Sequence, residues 1–417
     1  MPDQPRRGSL LVIFLTVFID LLGFGMVLPL LPIYAKQFTE DPHGWRLGML
    51  MAVFSIMQLL FAPVWGRLSD RVGRRPVLIV GLAGSVVFYT LFGLGTIWHS
   101  LTLLFVSRIG AGIAGATIPT AQAYIADTTS LEKRPHGMAL IGIAFGLGFT
   151  FGPLLAFLAV PSGHGDPGPG PGYTAAGLSA IALVLAIFLL PESRRPDSAP
   201  SARRLFDAQA FRDALATPSV GLLLLALFVS IFSFANFETT LSMLIKGEEQ
   251  EAGRAVLTVF DFTWRQVCLT YAYIGTMLVL VQGGLVRRLA GRVSEGILAS
   301  TGAVIDGVGF ALMVPAIMLH SIWLLFTALT VVVIGAACMQ PNLNSLLSRR
   351  SDPAKQGAIA GVSQSVNALA RILGSGLGIP LLTMNVTVPY YVSAVLMILG
   401  LVVVVAAASR GRDYGTV

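Results

Sequence analysis

The sequence predicts an all-α membrane protein, with twelve transmembrane helices in two pseudo-symmetric six-helix bundles. Three observations predict it. Of 417 residues, 55% are hydrophobic and only 12% charged, about half the charged share of an ordinary soluble protein. The mean hydropathy is +0.78, so apolar residues are spread through the whole chain. Gly (45) and Pro (23) are plentiful inside the apolar stretches, as in spanning helices and unlike soluble ones. This composition excludes a cytosolic enzyme, a secreted disulfide scaffold and a disordered chain.

A spanning helix needs about 20 mostly apolar residues. Twelve segments meet that length: 10–34, 47–65, 77–97, 101–121, 137–160, 173–190, 219–245, 267–286, 296–319, 322–347, 357–382 and 388–408. The first follows Arg6 and Arg7 like a signal peptide. Its apolar run is too long for one and lacks an A-x-A exit, so it is expected to stay as a helix. With the N-terminus placed in the cytoplasm, 21 of the 28 Lys and Arg residues fall on the cytoplasmic side and 5 on the outer side. Arg108 and Arg371 lie within spans. That asymmetry predicts a multi-pass protein of the inner or plasma membrane with both termini cytoplasmic.

The net charge of +7 is read as loop charge that sets orientation. No basic stripe interleaved with aromatics points to nucleic acid. Cys268 and Cys338 sit in apolar segments, with no CxxC metal or redox motif and no disulfide framework. No cofactor or metal is expected. The chain divides into a bundle at 1–190, a Pro- and Arg-rich cytoplasmic linker at 191–217, and a second bundle at 218–417. In the linker, Leu205, Phe206, Ala210 and Leu215 can share a helical face opposite Arg203, Arg204 and Arg212, as a helix lying on the inner leaflet or a solvated linker would. Residues 161–172 (PSGHGDPGPGPG) read as a flexible outer turn. Thr263-Trp264-Arg265-Gln266 fits a capping box opening span eight.

The run from Gly66 to Arg75 (GRLSDRVGRR) between spans two and three is echoed by Gly283 to Arg292 (GGLVRRLAGR) between spans eight and nine. Ile109-Gly110-Ala111 is echoed by Ile334-Gly335-Ala336. Such spacing suggests a duplicated bundle with the substrate path between the halves.

Charged side chains in lipid are costly and are kept for a job or a partner. Asp20 in span one and Asp306 in span nine lie near mid-span; Glu238, Arg108 and Arg371 are also inside spans. No His is mid-span, so a proton carrier in the core must be a carboxylate. Burial disfavours a carboxylate's charged form and a nearby Arg favours it, which is the switching that proton-coupled transport needs. A static Asp20–Arg108 pair that only fixes packing is the structural alternative. In span five, Gly148, Gly152 and Pro153 give a close helix contact and remove one backbone hydrogen bond.

These motifs resemble the major facilitator superfamily. The signature loop is Gly66-Arg67-Leu68-Ser69-Asp70-Arg71-Val72-Gly73-Arg74-Arg75. The stretch Asp20-x-x-Gly23-x-Gly25-x-x-x-Pro29-x-x-Pro32 resembles the first-helix motif of the drug:proton antiporters. Arg108 with Gly112 resembles their fourth-helix motif, and Gly148-x-x-x-Gly152-Pro153 the fifth-helix antiporter motif. Asn236-Phe237-Glu238-Thr239-Thr240-Leu241 is similar to the tetracycline-transporter-like relatives of the tetracycline-efflux-like branch. The fifth-helix motif departs by ending in Ala156-Phe157 instead of a Gly pair. The acid in helix three and the His in helix eight of the resistance pumps are missing.

The resemblance implies a secondary active transporter, not an enzyme. It would act as a monomer and export a small amphiphilic or organic compound by proton antiport. A facilitator or proton symporter for a small metabolite stays open on the same fold. The five charges inside the spans, Asp20, Arg108, Asp306, Glu238 and Arg371, are the expected proton-coupling and substrate set, in which Arg108 biases Asp20 toward proton release. A cytoplasmic gate is implied at Gly66, Asp70, Arg71, Gly73, Arg74 and Asp127, with Asp70 facing the start of helix eleven near Gly357. No Walker-type loop, H-E-x-x-H or G-x-S-x-G occurs, which leaves ATP-driven pumping and the common hydrolytic chemistries without their motifs.

Overall fold

The computed structural model describes residues 8–129, 134–193, 212, 218–246, 259–289, 291–351 and 356–410. Among the described residues, twelve helices are long and apolar enough to cross a membrane. They are α1 (Gly8–Val27), α2 (Trp45–Val72), α3 (Arg74–Ile97), α4 (Leu101–Thr128), α5 (Arg134–Ala159) and α6 (Gly170–Leu189), then α7 (Pro218–Ile245), α8 (Trp264–Leu289), α9 (Glu295–Met318), α10 (Ile322–Arg349), α11 (Gln356–Met384) and α12 (Val388–Arg410). Large apolar residues such as Phe188 (79% exposed) and Trp323 (88%) cover the outside of these helices. So large an apolar surface is unfavourable in water and suits a bilayer.

Prolines shape two spans more finely than the sequence reading expected. The first stops at Val27, and a short helix Leu31–Gln37 follows with Pro32 in its first turn. Pro29 and Pro32 lack the N–H groups that would carry α1 onward. Likewise α4 is two stretches, Leu101–Gly115 and Ile118–Thr128, with Pro119 in the first turn of the second. At the end of α8, Val281–Val286 is wound as a π-helix around Gly283 and Gly284. The predicted capping box is present: Thr263 N donates to Gln266 Oε1 at 2.8 Å, and Gln266 N to Thr263 Oγ1 at 3.4 Å.

The two helical hairpins at α3–α4 and α9–α10 are copies of one another. His99 and His320 both take a positive φ, +48° and +50°. Ser100 caps α4 by accepting from Leu103 N, and Ser321 caps α10 by accepting from Leu324 N. The bonds His99 N to Thr96 O and Ser100 N to Gly95 O recur as His320 N to Ile317 O and Ser321 N to Ala316 O. Every pair is separated by the same step along the chain, 99 to 320. This step of 221 residues falls between the steps of the two sequence echoes, 66 to 283 and 109 to 334, and coincides with neither.

The chain forms two compact units. The first comprises Met1–Glu40, Val53–Phe206 and Phe262–Gly275. In it α1 packs on α5 and α6, and α3 on α4 and α6. Its core includes Ile13, Val17, Leu78, Leu82, Tyr124, Ile141 and Ala186. The start of α8 belongs to this unit: Gly275 packs so closely that a Cβ there would lie 2.7 Å from Thr150 Cα. The 161–169 segment, expected as a flexible turn, is tied down. Trp264 Nε1 donates to Gly165 O at 2.7 Å and Tyr34 Oη to Gly168 O at 2.8 Å. Periodicity could not show this, because the partners lie far apart in sequence.

The second unit comprises Asp41–Ala52, Asp207–Asp261 and Thr276–Val417. Here α9 packs on α10 and α12, and α7 on α11 and α12. The start of α2 clusters with this unit: a Cβ on Gly48 would meet the Gly376 carbonyl and, at 3.2 Å, Pro380 Cδ. The sequence reading expected α2 wholly within the first bundle and α8 wholly within the second. The amphipathic face expected at 205–215 of the linker lies outside the described residues.

Candidate functional site

In the first unit, Asp20 is half-buried on α1 and faces α3 and α6. Ser179 Oγ of α6 donates to Asp20 Oδ1 at 3.3 Å, and the Ser85 hydroxyl of α3 is a second partner. Both serines are buried. The neighbouring turn of α1 is held against α5 by the predicted glycines. A Cβ on Gly152 would lie 2.8 Å from Gly25 Cα, and one on Gly148 3.0 Å from Leu21 Cβ. The Gly148 and Gly152 motif thus seats α5 one turn from Asp20, in a helix that continues through Pro153.

Arg108 is 1% exposed on α4. Its guanidinium carbon lies 4.3 Å from the Phe54 ring centre and 6.0 Å from that of Phe24. Neither Nε nor Nη1 has a hydrogen-bond partner among the described residues. Gly112, one turn on, lets α4 approach Phe54 of α2. The static Asp20–Arg108 pair is therefore absent here: aromatic faces hold the cation, a recognised mode. Tyr89, buried on α3, is within electrostatic reach of both Asp20 and Arg108.

The signature loop forms a charged cluster. Arg74 pairs with Asp70, and its Nε lies 3.0 Å from Asp127 Oδ2. Its Nη1 also donates to Ser69 Oγ at 2.8 Å. The sequence reading missed one member, Glu192. The backbone N–H groups of Arg74 and Arg75 donate to its two carboxylate oxygens at 2.9 and 3.1 Å. Glu192 so caps the N-terminus of α3, where unpaired N–H groups favour an anion. Gly73 must be glycine: its φ is +111°, and a Cβ would strike the Glu192 carboxylate. Gly66 has open space around it. Arg71 is exposed and adjoins the cluster in sequence.

In the second unit, Asp306 is fully buried on α9, with neither carboxylate oxygen hydrogen-bonded among the described residues. Gly335 of α10 lies hard against it: a Cβ there would be 2.6 Å from Asp306 Cα. Gly302 and Gly309, flanking Asp306 on α9, touch Met339 and Val332 of α10 in the same way. Glu238 of α7 pairs with Arg371 of α11 at 3.2 Å. The sequence placed both in spans without foreseeing that they meet. Beside them Asn236 Nδ2 donates to Pro389 O and Ser393 Oγ at 2.9 and 3.0 Å. The buried hydroxyls of Ser230 and Ser233 on α7 have no partner among the described residues.

Two helical units, each with a charged group sunk in its spans, suit the movement of ions or solutes. The major facilitator superfamily model matches residues 13–375. The chain belongs to the major facilitator superfamily. Within it, the chain is 32% identical over 373 residues to the class C tetracycline resistance protein of Escherichia coli, covering 88% of both chains. It is 29% identical over 430 residues to mouse major facilitator superfamily domain-containing protein 10, covering 89% of this chain and 88% of that one. The crystal structure of the human organic anion transporter MFSD10 (TETRAN) matches with a TM-score of 0.69 at 25% identity, covering 97% of this chain and all 100% of that one. The predicted likeness to the tetracycline-efflux-like branch is thus borne out. This is a multi-pass membrane protein of a transporter family, and its relatives are transporters, not enzymes.

Proposed function

We propose that this member of the superfamily is a secondary active transporter that exports a small amphiphilic or organic compound in exchange for protons. The observation that carries the reading is Asp306. An unpaired carboxylate buried between two helices is tolerated when it carries a proton, since an uncompensated charge there is costly. Asp20 is the corresponding group of the first unit, held by two hydroxyls that can serve either protonation state. Arg108 makes no direct bond to Asp20; buried Tyr89 is within electrostatic reach of both. Glu238 and Arg371 supply a further charged pair in the spans.

The cluster of Asp70, Arg74 and Asp127 serves as the inner gate, with Gly66, Arg71 and Gly73 in its motif. The names of the relatives, tetracycline resistance and organic anion transport, support an organic substrate. The transporter works as a monomer; its place in the inner or plasma membrane with both termini in the cytoplasm is supported by the Lys and Arg asymmetry. A substrate-panel efflux assay in a pump-deficient host tests the reading. Export that collapses with a protonophore is expected; flux indifferent to the proton gradient identifies a facilitator, and substrate moving inward with protons a symporter.

A further inference from the structure

We propose that the turn between α8 and α9 is a docking site for the headgroup of an anionic glycerophospholipid. In the first unit, the basic start of α3 is neutralised: Arg74 meets Asp70 and Asp127, and Glu192 receives the N–H groups of Arg74 and Arg75. At the matching place in the second unit the charges are reversed. Glu295 opens α9, and it accepts from Ser345 Oγ at 2.6 Å and from Arg349 Nη1 at 3.0 Å. That carboxylate is committed to α10 and leaves nothing for the turn before it.

The last turn of α8 carries Arg287 and Arg288 and the turn after it Arg292, all exposed. None forms an ion pair or side-chain hydrogen bond among the described residues. Three like charges in six residues repel one another and call for an external anion. Just before Arg287, α8 is π-wound over Val281–Val286. Gly283 and Gly284 there leave open space, since a Cβ on either would meet nothing within 4 Å. Leu280 (60% exposed) and Leu285 (45%) extend an apolar surface up to the arginines.

An apolar surface ending in unpaired guanidinium groups matches a molecule with acyl chains and a phosphodiester. Guanidinium binds phosphate oxygens in a two-pronged fashion. A free phosphate would use the arginines but not the leucines, which is why a lipid is the occupant. Each basic residue close to an anionic leaflet contributes about a fivefold gain in binding.

The test is native mass spectrometry of the delipidated full chain in detergent, titrated with dioleoylphosphatidylglycerol or dioleoylphosphatidylcholine. Wild type is expected to bind the anionic lipid at least about tenfold more tightly. R287Q/R288Q/R292Q should lose that preference while eluting and melting as wild type does. R287K/R288K/R292K should keep most of it, and the control K36Q/R46Q all of it. Persistence of the preference in the triple Gln variant, no preference in wild type, or displacement of the lipid by an equal concentration of glycerol 3-phosphate would each overturn the proposal.

Discussion

Arg371 Nη1 of α11 lies 3.2 Å from Glu238 Oε2 of α7, joining two spanning helices of the second unit by an ion pair. Glu238 is 9% exposed by side chain and Arg371 34%, so the pair is sheltered on one side only. Breaking it from the buried side leaves a guanidinium without its anion. Glu238→Gln should therefore destabilise the protein by about 1–3 kcal/mol, and the double variant E238Q/R371Q by less than the sum of the two single changes. Thermal unfolding in detergent measures both. Strict additivity would show that the two side chains do not depend on one another.

The cap that Glu192 places on α3 gives a second prediction. Gly73→Ala combines a backbone region that is nearly glycine-only with a clash against Glu192, for a cost of about 1–3 kcal/mol. Glu192→Gln removes the charge at the helix N-terminus and replaces one of the two accepting oxygens by an amide NH2, and should cost about 0.5–1.5 kcal/mol. The same melting assay ranks them. Equal effects would mean that Gly73 is not strained.

Asp70→Asn removes one anion from Arg74 and leaves Asp127 in place. Transport should fall while expression persists. Unimpaired transport by that variant in proteoliposomes would remove the gate assignment.

The seat of α5 on α1 predicts that Gly152→Ala forces the helices apart beside Asp20, with a cost of about 1–3 kcal/mol. Gly142→Ala is the control, because a Cβ there meets nothing within 4 Å. A melting curve of G152A that matches G142A would refute the close contact.

Much of this architecture was legible in the chain. Twelve apolar runs and their flanking arginines give the spans, because a bilayer demands long apolar helices and little else. Asp20, Arg108, Glu238, Asp306 and Arg371 stand out for the same reason, as charges where charge is costly. What the chain hid is partnership. Glu192 sits in an ordinary polar exit from α6, and nothing local shows that it reaches Arg74, 118 positions away. Glu238 and Arg371 are separated by 133 positions. Arg108 has the look of an ion-pair partner for Asp20, yet Phe54 holds it. The interrupted first and fourth spans were signalled by Pro29, Pro32 and Pro119, which an apolar-length criterion passes over.

Proton coupling through the buried carboxylates is tested most directly by transport in proteoliposomes under an imposed pH gradient, comparing wild type with Asp306→Asn and Asp20→Asn. The expected result is gradient-driven accumulation in wild type, and in both variants exchange of substrate that no longer responds to the gradient. Accumulation by Asp306→Asn against its gradient at the wild-type rate would contradict the account.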